Sequence, residues 1–196
     1  GALGSLYRVQ QTINKMIPLL IMGLGLSVCF RSQFMNIGSE GQFYMGAIGA
    51  TFAIRLIGDR LGALTLPTMM LFSFILGGLW CLLPALLKRY YGVSETLVTL
   101  LLNYIAIRIV SYLQYSAWKD PEAYGFPKIA NYPTAALLPK VFGVHIGWII
   151  ALILVAVIYF LLFKSKLGYE MAVMGDNLLT ARYAGMNTSK ILLASA

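Results

Sequence analysis

A polar stretch rich in glycine, residues 31–50, interrupts the apolar sequence near the start of the chain. It carries side chains that bind polar solutes, the amides of Asn36 and Gln42 and the carboxylate of Glu40. The apolar run on either side gives only about 22 Å of helix, whereas a hydrocarbon core is about 30 Å thick. Either the helices extend into the polar stretch or the backbone breaks inside the membrane. Both arrangements place these three side chains at the edge of the hydrocarbon or within it.

A carboxylate at that depth costs about 2.5–3.5 kcal/mol unless it faces protein or water. Short, glycine-interrupted hydrophobic segments are typical of a transport pathway. Asn103 and Arg108 add two polar groups within a later apolar run, with Arg108 near its midpoint. Arg108 either serves as a ligand or gating group in a wet cavity, pairs with a carboxylate such as Glu40 or Glu95, or snorkels to water. The predicted substrate path is Asn36, Glu40, Gln42, Asn103 and Arg108.

The sequence offers no group of residues suited to covalent catalysis or metal binding beside the predicted substrate path. The one histidine, His145, has no second histidine or carboxylate at ligand spacing, so we expect no metal site. Cys29 and Cys81 lie in apolar runs, as small buried hydrophobic residues do. The chain has no GxxxxGK[ST] phosphate-binding loop. We therefore predict no enzymatic activity and no cofactor, and any ATP would be bound and hydrolysed by another subunit.

The composition is that of a membrane protein. Hydrophobic residues make up 59% of the chain and charged residues 11%, whereas a soluble domain averages about 25% charged residues. The net charge is +8, but the basic residues stand singly or in pairs at the ends of apolar runs, where they face lipid headgroups. A basic face is missing, so we expect membrane lipid and no nucleic acid as a partner.

The apolar runs predict an all-α, polytopic transmembrane helical bundle with about five spans and no strands. The predicted spans are 16–30, 43–57, 63–87, 96–116 and 146–163. Small residues four apart, Gly46 with Ala50 and Gly49 with Ala53, predict close helix packing by the second span. Paired basic residues at span ends favour a cytoplasmic position for the 88–95 turn and the 164–190 loop.

The polar loop 164–190 contains one further predicted helix. Asp176 or Asn177 would cap it and Gly185 would end it, which leaves about eight residues, or roughly 12 Å. Such a helix is too short to span a membrane and is marginal alone. It either lies on the headgroups or docks into a groove of a soluble partner.

Three segments occur in order along the chain: FRSQFMNIGSEGQFYMGAIGA, GVSETLVTLLLNYIA and GYEMAVMGDNLLTARYAGM. Together they resemble the membrane permease subunits of bacterial ABC importers, in the branch that serves nucleosides, simple sugars and branched-chain amino acids. The resemblance covers essentially all of the chain, as a single transmembrane permease domain over 1–196. The connection WKDPEAYGFP, 118–127, is similar to that of the nucleoside and simple-sugar permeases. Because the sequence starts at Gly1 and stops within an apolar run, we expect a fragment that lacks N-terminal and C-terminal spans.

The resemblance implies a role for each motif. NIGSEGQ, 36–42, would line the translocation path at the interface with a second permease, identical or different. An extracytoplasmic substrate-binding protein would deliver nucleosides or related small polar solutes to the 117–145 side, across the bacterial cytoplasmic (inner) membrane. The segment 175–185 would be the coupling helix that docks into a cytoplasmic ATP-binding subunit. Its predicted coupling residues are Gly175, Asp176, Asn177, Ala181, Arg182, Tyr183, Ala184 and Gly185.

The chain departs from the family pattern at two sites. Leu178 and Leu179 stand where the family often has proline after the asparagine, and Arg108 matches no family position. On the residues alone, an ion-coupled secondary transporter or channel stays open as the alternative, with Glu40 and Arg108 as coupling groups. That alternative predicts activity without an ATPase and dependence on pH or membrane potential. An intramembrane enzyme would need convergent His, Cys, Asp or Glu groups at one depth, which the spans barely supply.

Overall fold

The computed structural model describes residues 4–58, 60–123, 125–141 and 143–196. Asp59, in the turn after the second predicted span, and Tyr124, in the 118–127 connection, lie outside these residues. The described part is built from α-helices, which confirms the predicted fold class. The helices are α1 (Leu6–Arg31), α2 (Ser39–Ile57), α3 (Thr65–Tyr91), α4 (Glu95–Tyr115), α5 (Gly147–Lys164), α6 (Lys166–Asp176), α7 (Leu178–Tyr183) and α8 (Thr188–Ser195). Short 3-10 turns cover Gly62–Leu64 and Thr134–Ala136.

Among the described residues, four helices are long and apolar enough to cross a membrane. They are α1, α3 with its preceding 3-10 turn, α4 and α5. The fifth predicted span is α2, which is 19 residues long but begins with Ser39, Glu40 and Gln42 in its first turn. Its polar start lowers its hydropathy below that of the other four helices.

The prediction that the chain has no strands is wrong at one place. Lys140–Val141 (β1) and Val144–His145 (β2) form a short antiparallel hairpin, in which Lys140 pairs with His145 and Val141 with Val144. Gly143 in the turn has φ 78°, a conformation that glycine adopts without strain. Two-residue strands are too short to give the alternating pattern by which strands are recognised in a sequence.

The chain forms two compact units. The terminal unit contains Gly1–Asn36 and Leu138–Ala196, and the central unit contains Ile37–Leu137. In the terminal unit, α1 packs on α5, α6 and α8. One core cluster of this unit is formed by Leu162, Met171, Met174, Ala181 and Ile191, and another by Ile17, Val144 and Ala151.

In the central unit, α2 packs against α3 and α4. A Cβ atom on Gly49 would lie 2.5 Å from the carbonyl oxygen of Phe72, and one on Gly46 would lie 2.9 Å from Ser73 Oγ. A larger residue at Gly49 therefore requires movement of the α3 backbone, and one at Gly46 requires movement of the Ser73 hydroxyl. The predicted close packing of α2 through small residues is therefore confirmed, and Ala53 is also fully buried there.

Candidate functional site

The backbone breaks between α1 and α2. The first helix ends at Arg31 and the second begins at Ser39, so residues 32–38 are not helical. Gln33 has φ 57°, in the left-handed region that ends a helix. Both features that the sequence left open are present, since α2 extends into the polar stretch as far as Ser39 and the backbone is broken before it.

Asn36 lies at the end of the terminal unit and is 2% exposed. Its Nδ2 atom is 3.8 Å from Cys29 Sγ, a weak hydrogen bond to a residue of α1. Nearby, the hydroxyl oxygens of Ser32 and Ser195 are 2.7 Å apart, which ties the break to α8. The Asn36 amide is thus packed inside the terminal unit.

The other end of the break belongs to the central unit and is bound by side chains of α4. The Ile37 N–H donates to Thr99 Oγ1 at 3.2 Å, and Asn103 Nδ2 donates to the Ile37 carbonyl at 2.9 Å. The Gly41 N–H donates to Asn103 Oδ1 at 2.8 Å. Both ends of the Asn103 amide are occupied by backbone groups, and its side chain is buried.

Glu40 differs from these amides because it is exposed. The hydroxyl of Tyr44, one turn later on α2, donates to Glu40 Oε1 at 3.3 Å. Gln42 is partly buried on another face of the same helix. Of the predicted path residues on α2, Glu40 is therefore the more exposed.

Arg108 is also exposed, on α4. It lines an open groove of about 400 Å³ with Tyr104, Ile105, Ile109 and Tyr112. Within the described part of the chain no carboxylate forms an ion pair with Arg108. The Glu95 carboxylate binds Lys88 Nζ at 2.5 Å instead, so the predicted alternative of an Arg108–Glu95 pair is wrong.

The predicted coupling segment contains α7. Asn177 caps it, since Asn177 Oδ1 accepts from the N–H groups of Leu179 at 2.8 Å and Thr180 at 3.2 Å. Asp176, the other predicted cap, is instead the last residue of α6. The helix has six residues rather than eight, because Ala184 already forms its C-cap, and Gly185 follows with φ 73°.

α7 has one buried anchor and an exposed apolar surface. Ala181 is 0% exposed and packs in the first core cluster of the terminal unit. Leu178, Leu179 and Tyr183 are 45%, 63% and 92% exposed, and Arg182 is exposed beside them. Exposed apolar side chains of this kind make α7 a candidate contact surface, either for lipid headgroups or for another protein.

Gly175 positions this surface from the preceding helix. A Cβ atom at Gly175 would lie 2.5 Å from the carbonyl oxygen of Arg31, so α6 approaches the end of α1 directly. The predicted coupling residues are thus held together on α6, α7 and the turn after it.

Two residues that bind the break between α1 and α2, Thr99 and Gly41, were not predicted from the sequence. The four-residue spacing of Thr99 and Asn103, which places both on one face of α4, could have indicated Thr99.

Comparison with known proteins adds the family. Residues 8–196 match the model of the family described as "Branched-chain amino acid transport system / permease component". The chain belongs to this permease family. No solved structure gives a significant match.

Three relatives of the permease illustrate the similarity. The guanosine ABC transporter permease protein NupP of Bacillus subtilis is 30% identical over 100% of this chain and 57% of its own length. The glucose ABC transporter permease protein TsgB13 of Haloferax volcanii is 30% identical over 97% of this chain and 53% of its own length. The nucleoside ABC transporter permease protein NupB of Lactococcus lactis is 26% identical over 100% of this chain and 56% of its own length. The chain therefore spans about half the length of these relatives.

Proposed function

We propose that this chain forms part of the permease subunit of an ABC importer that carries nucleosides or related small polar solutes across a bacterial cytoplasmic membrane. Family membership supports the permease role. Two of the relatives are named for guanosine or nucleoside transport and one for glucose, which favours nucleosides and leaves sugars as the nearest rival. The observation that carries the importer mechanism is the exposed surface of α7.

The proposed partner of α7 is a cytoplasmic ATP-binding subunit. Leu179 and Tyr183 offer apolar and aromatic area to a groove, and Arg182 adds a cation beside them. Ala181 holds the helix on the core of the terminal unit, so force applied to α7 reaches α5 and α6. ATP binding by the partner shifts the permease between two states only if the partner contacts those states differently. ATP is bound by that partner, and this chain supplies no cofactor of its own.

The proposed substrate path uses the exposed polar groups of the central unit. Glu40 and Arg108 present a carboxylate and a guanidinium, and Gln42 adds an amide near the break. The amides of Asn36 and Asn103 are engaged within the protein, Asn36 with the Cys29 sulfur and Asn103 with the backbone of Ile37 and Gly41, so Asn103 supports the backbone of the path. A second permease, identical or different, completes the path, and an extracytoplasmic binding protein delivers the solute.

Capture of the ATPase tests the docking surface. The full-length protein is purified in detergent with its neighbouring gene products, as the parent, as Tyr183→Ala and as Phe126→Ala. Tyr183 and Phe126 are both highly exposed aromatic residues, at 92% and 74%, so neither truncation disturbs the core. We expect an ATPase to co-purify with the parent and with Phe126→Ala, and its yield to fall about tenfold or more with Tyr183→Ala, as for an aromatic hot spot.

Two results would contradict the proposal. If the parent captures no ATPase but transports solute with a dependence on pH or membrane potential, the ion-coupled transporter replaces the importer. If capture is insensitive to Tyr183→Ala and also to Ala181→Pro, which disrupts the helix itself, α7 is not the docking element. In a separate experiment, competition of uptake by guanosine and by glucose distinguishes nucleosides from sugars as the transported class.

A further inference from the structure

The start of α2 lacks a cap of its own. Gly38 stands at the N-cap position, where Ser, Thr, Asp or Asn normally bonds the N–H of the second or third helical residue. The third helical residue is Gly41, and its N–H is bonded by Asn103 Oδ1 at 2.8 Å. Asn103 of α4 therefore supplies, from a separate helix, the hydrogen bond that a local cap would make.

The same side chain also binds the break that precedes the helix. Asn103 Nδ2 donates to the Ile37 carbonyl at 2.9 Å, and Thr99, one turn earlier, accepts from the Ile37 N–H at 3.2 Å. The two polar backbone groups of Ile37 and the N–H of Gly41 are thus all bonded by α4. Gly41 is required for this approach, because a Cβ atom there would lie 2.7 Å from Asn103 Oδ1.

The position of Asn103 along α4 gives the depth of these contacts. It follows Glu95, the first residue of α4, by eight residues, or about 12 Å along the axis. In a hydrocarbon core about 30 Å thick, this lies close to the middle. Non-helical backbone at that depth persists only where protein groups satisfy its hydrogen bonds.

The direction of α2 agrees with this depth. At its far end the guanidinium of Arg55 lies 5.8 Å from the centre of the Trp118 ring, just beyond the end of α4. Gly41, near the start of α2, contacts Asn103 in the first half of α4, and Arg55, near the end of α2, contacts Trp118 just after the end of α4. The two helices therefore run in the same direction. α2 thus begins at the level of Asn103 and not at the membrane surface.

We infer that Asn103 is a positioning residue, which holds Ile37–Gly41 at mid-membrane depth and so places the exposed carboxylate of Glu40 in the transport path. Asn103 does this without touching the solute, since both ends of its amide are used by the backbone. The inference about backbone position stands on the geometry alone. Its consequence for transport rests on the proposed function.

Amide hydrogen exchange of the full-length protein in lipid nanodiscs, without substrate, tests the positioning. In Asn103→Leu, which keeps a similar volume, we expect the Gly41 amide, which loses its acceptor, to exchange about tenfold faster or more. The Ile37 N–H keeps its bond to Thr99 Oγ1, but we expect its exchange to rise as well, because opening of this segment no longer breaks the bond from Asn103 Nδ2 to the Ile37 carbonyl. In Thr99→Val, which keeps the shape and removes one acceptor, faster exchange is confined to Ile37. Ser111→Ala serves as the matched control, because its hydroxyl bonds only within α4, to the Ile107 carbonyl.

Transport kinetics of the same variants test the consequence. A positioning role predicts that Asn103→Leu lowers the maximal uptake rate about tenfold or more, because small misplacements of a functional group are costly, with little change in the half-saturating solute concentration. Unchanged exchange at Ile37 and Gly41 would overturn the inference, and a raised half-saturating concentration with unchanged exchange would make Asn103 a solute ligand. Raised exchange with unchanged uptake would reject its role in placing Glu40. If the parent does not transport these solutes at all, the proposed function fails while the exchange result still decides the backbone position.

Discussion

The helices α2 and α7, like α8, begin after a break in the backbone, and an asparagine bonds the first turn of each. At α7 the asparagine is Asn177, the residue directly before the helix. At α2 it is Asn103, on α4, more than sixty positions away in the sequence. The Asn177 cap is exposed, whereas Gly41 and Asn103 are buried. A local cap suffices where water satisfies the remaining N–H groups, whereas a start inside the protein needs groups brought by another helix.

The comparison also separates two functions. The exposed surface of α7, which we propose to contact a partner, is anchored by a single alanine, Ala181, packed in the core. The start of α2 presents a single carboxylate, Glu40, and its anchor is a set of hydrogen bonds to Thr99 and Asn103. Residues of a docking surface need not be held in fixed positions before binding, because contacts with the partner then fix them. A polar group in a membrane path requires a fixed position.

The largest effect is expected for Gly41→Ala. The added Cβ atom would lie 2.7 Å from Asn103 Oδ1 and 3.1 Å from Asn103 Cα, so it displaces the backbone of α4 as well as the amide. Overpacking and the lost hydrogen bond together lower the free energy of unfolding by about 2–5 kcal/mol. Thermal unfolding of the purified full-length protein measures the loss. Gly78→Ala is the control, since a Cβ atom on this helical glycine meets nothing within 4 Å; equal stability of the two variants would refute the close approach at Gly41.

A smaller effect is expected for Asn103→Asp. The carboxylate still accepts from the Gly41 N–H, but the donor to the Ile37 carbonyl is lost and a charge is buried in its place. We expect a loss of about 1–3 kcal/mol in the free energy of unfolding, the usual cost of leaving a buried polar group unsatisfied. The measurement is the unfolding midpoint at neutral pH. A stability equal to that of the parent would mean that the Ile37 carbonyl needs no partner from α4.

The contrast explains which features were predictable from the sequence. The predicted spans 43–57, 63–87, 96–116 and 146–163 match α2, α3, α4 and α5 to within four residues, but α1 begins ten residues before the predicted 16–30 and α6 was not predicted. The Asn177 cap and the Gly185 end follow from residues within one turn of the helix they bound. The bonds of Asn103 depend on which helix packs beside which, and a single sequence does not give that. For the same reason Asn103 was predicted to face the solute, whereas its amide bonds the backbone. Arg108 was placed correctly on α4, and of the alternatives left open for it the pair with Glu95 is not formed, because Lys88, at the end of α3, binds that carboxylate.

The smallest effect is expected at Asn177, the local cap of α7. There substitution by Asp is expected to be tolerated, whereas at Asn103 it is expected to be destabilising. Asn177 Oδ1 only accepts hydrogen bonds, from the N–H groups of Leu179 and Thr180, so Asn177→Asp keeps both bonds and adds a charge that the helix start favours. We expect Asn177→Asp to change the stability of α7 by no more than about 0.5 kcal/mol and Asn177→Ala to cost about 1 kcal/mol. Exchange of the Leu179 and Thr180 amides reports this locally, without global unfolding. If Asp is as harmful at 177 as at 103, the two starts are bonded in the same way, and the distinction between a local cap and one supplied by a neighbouring helix fails.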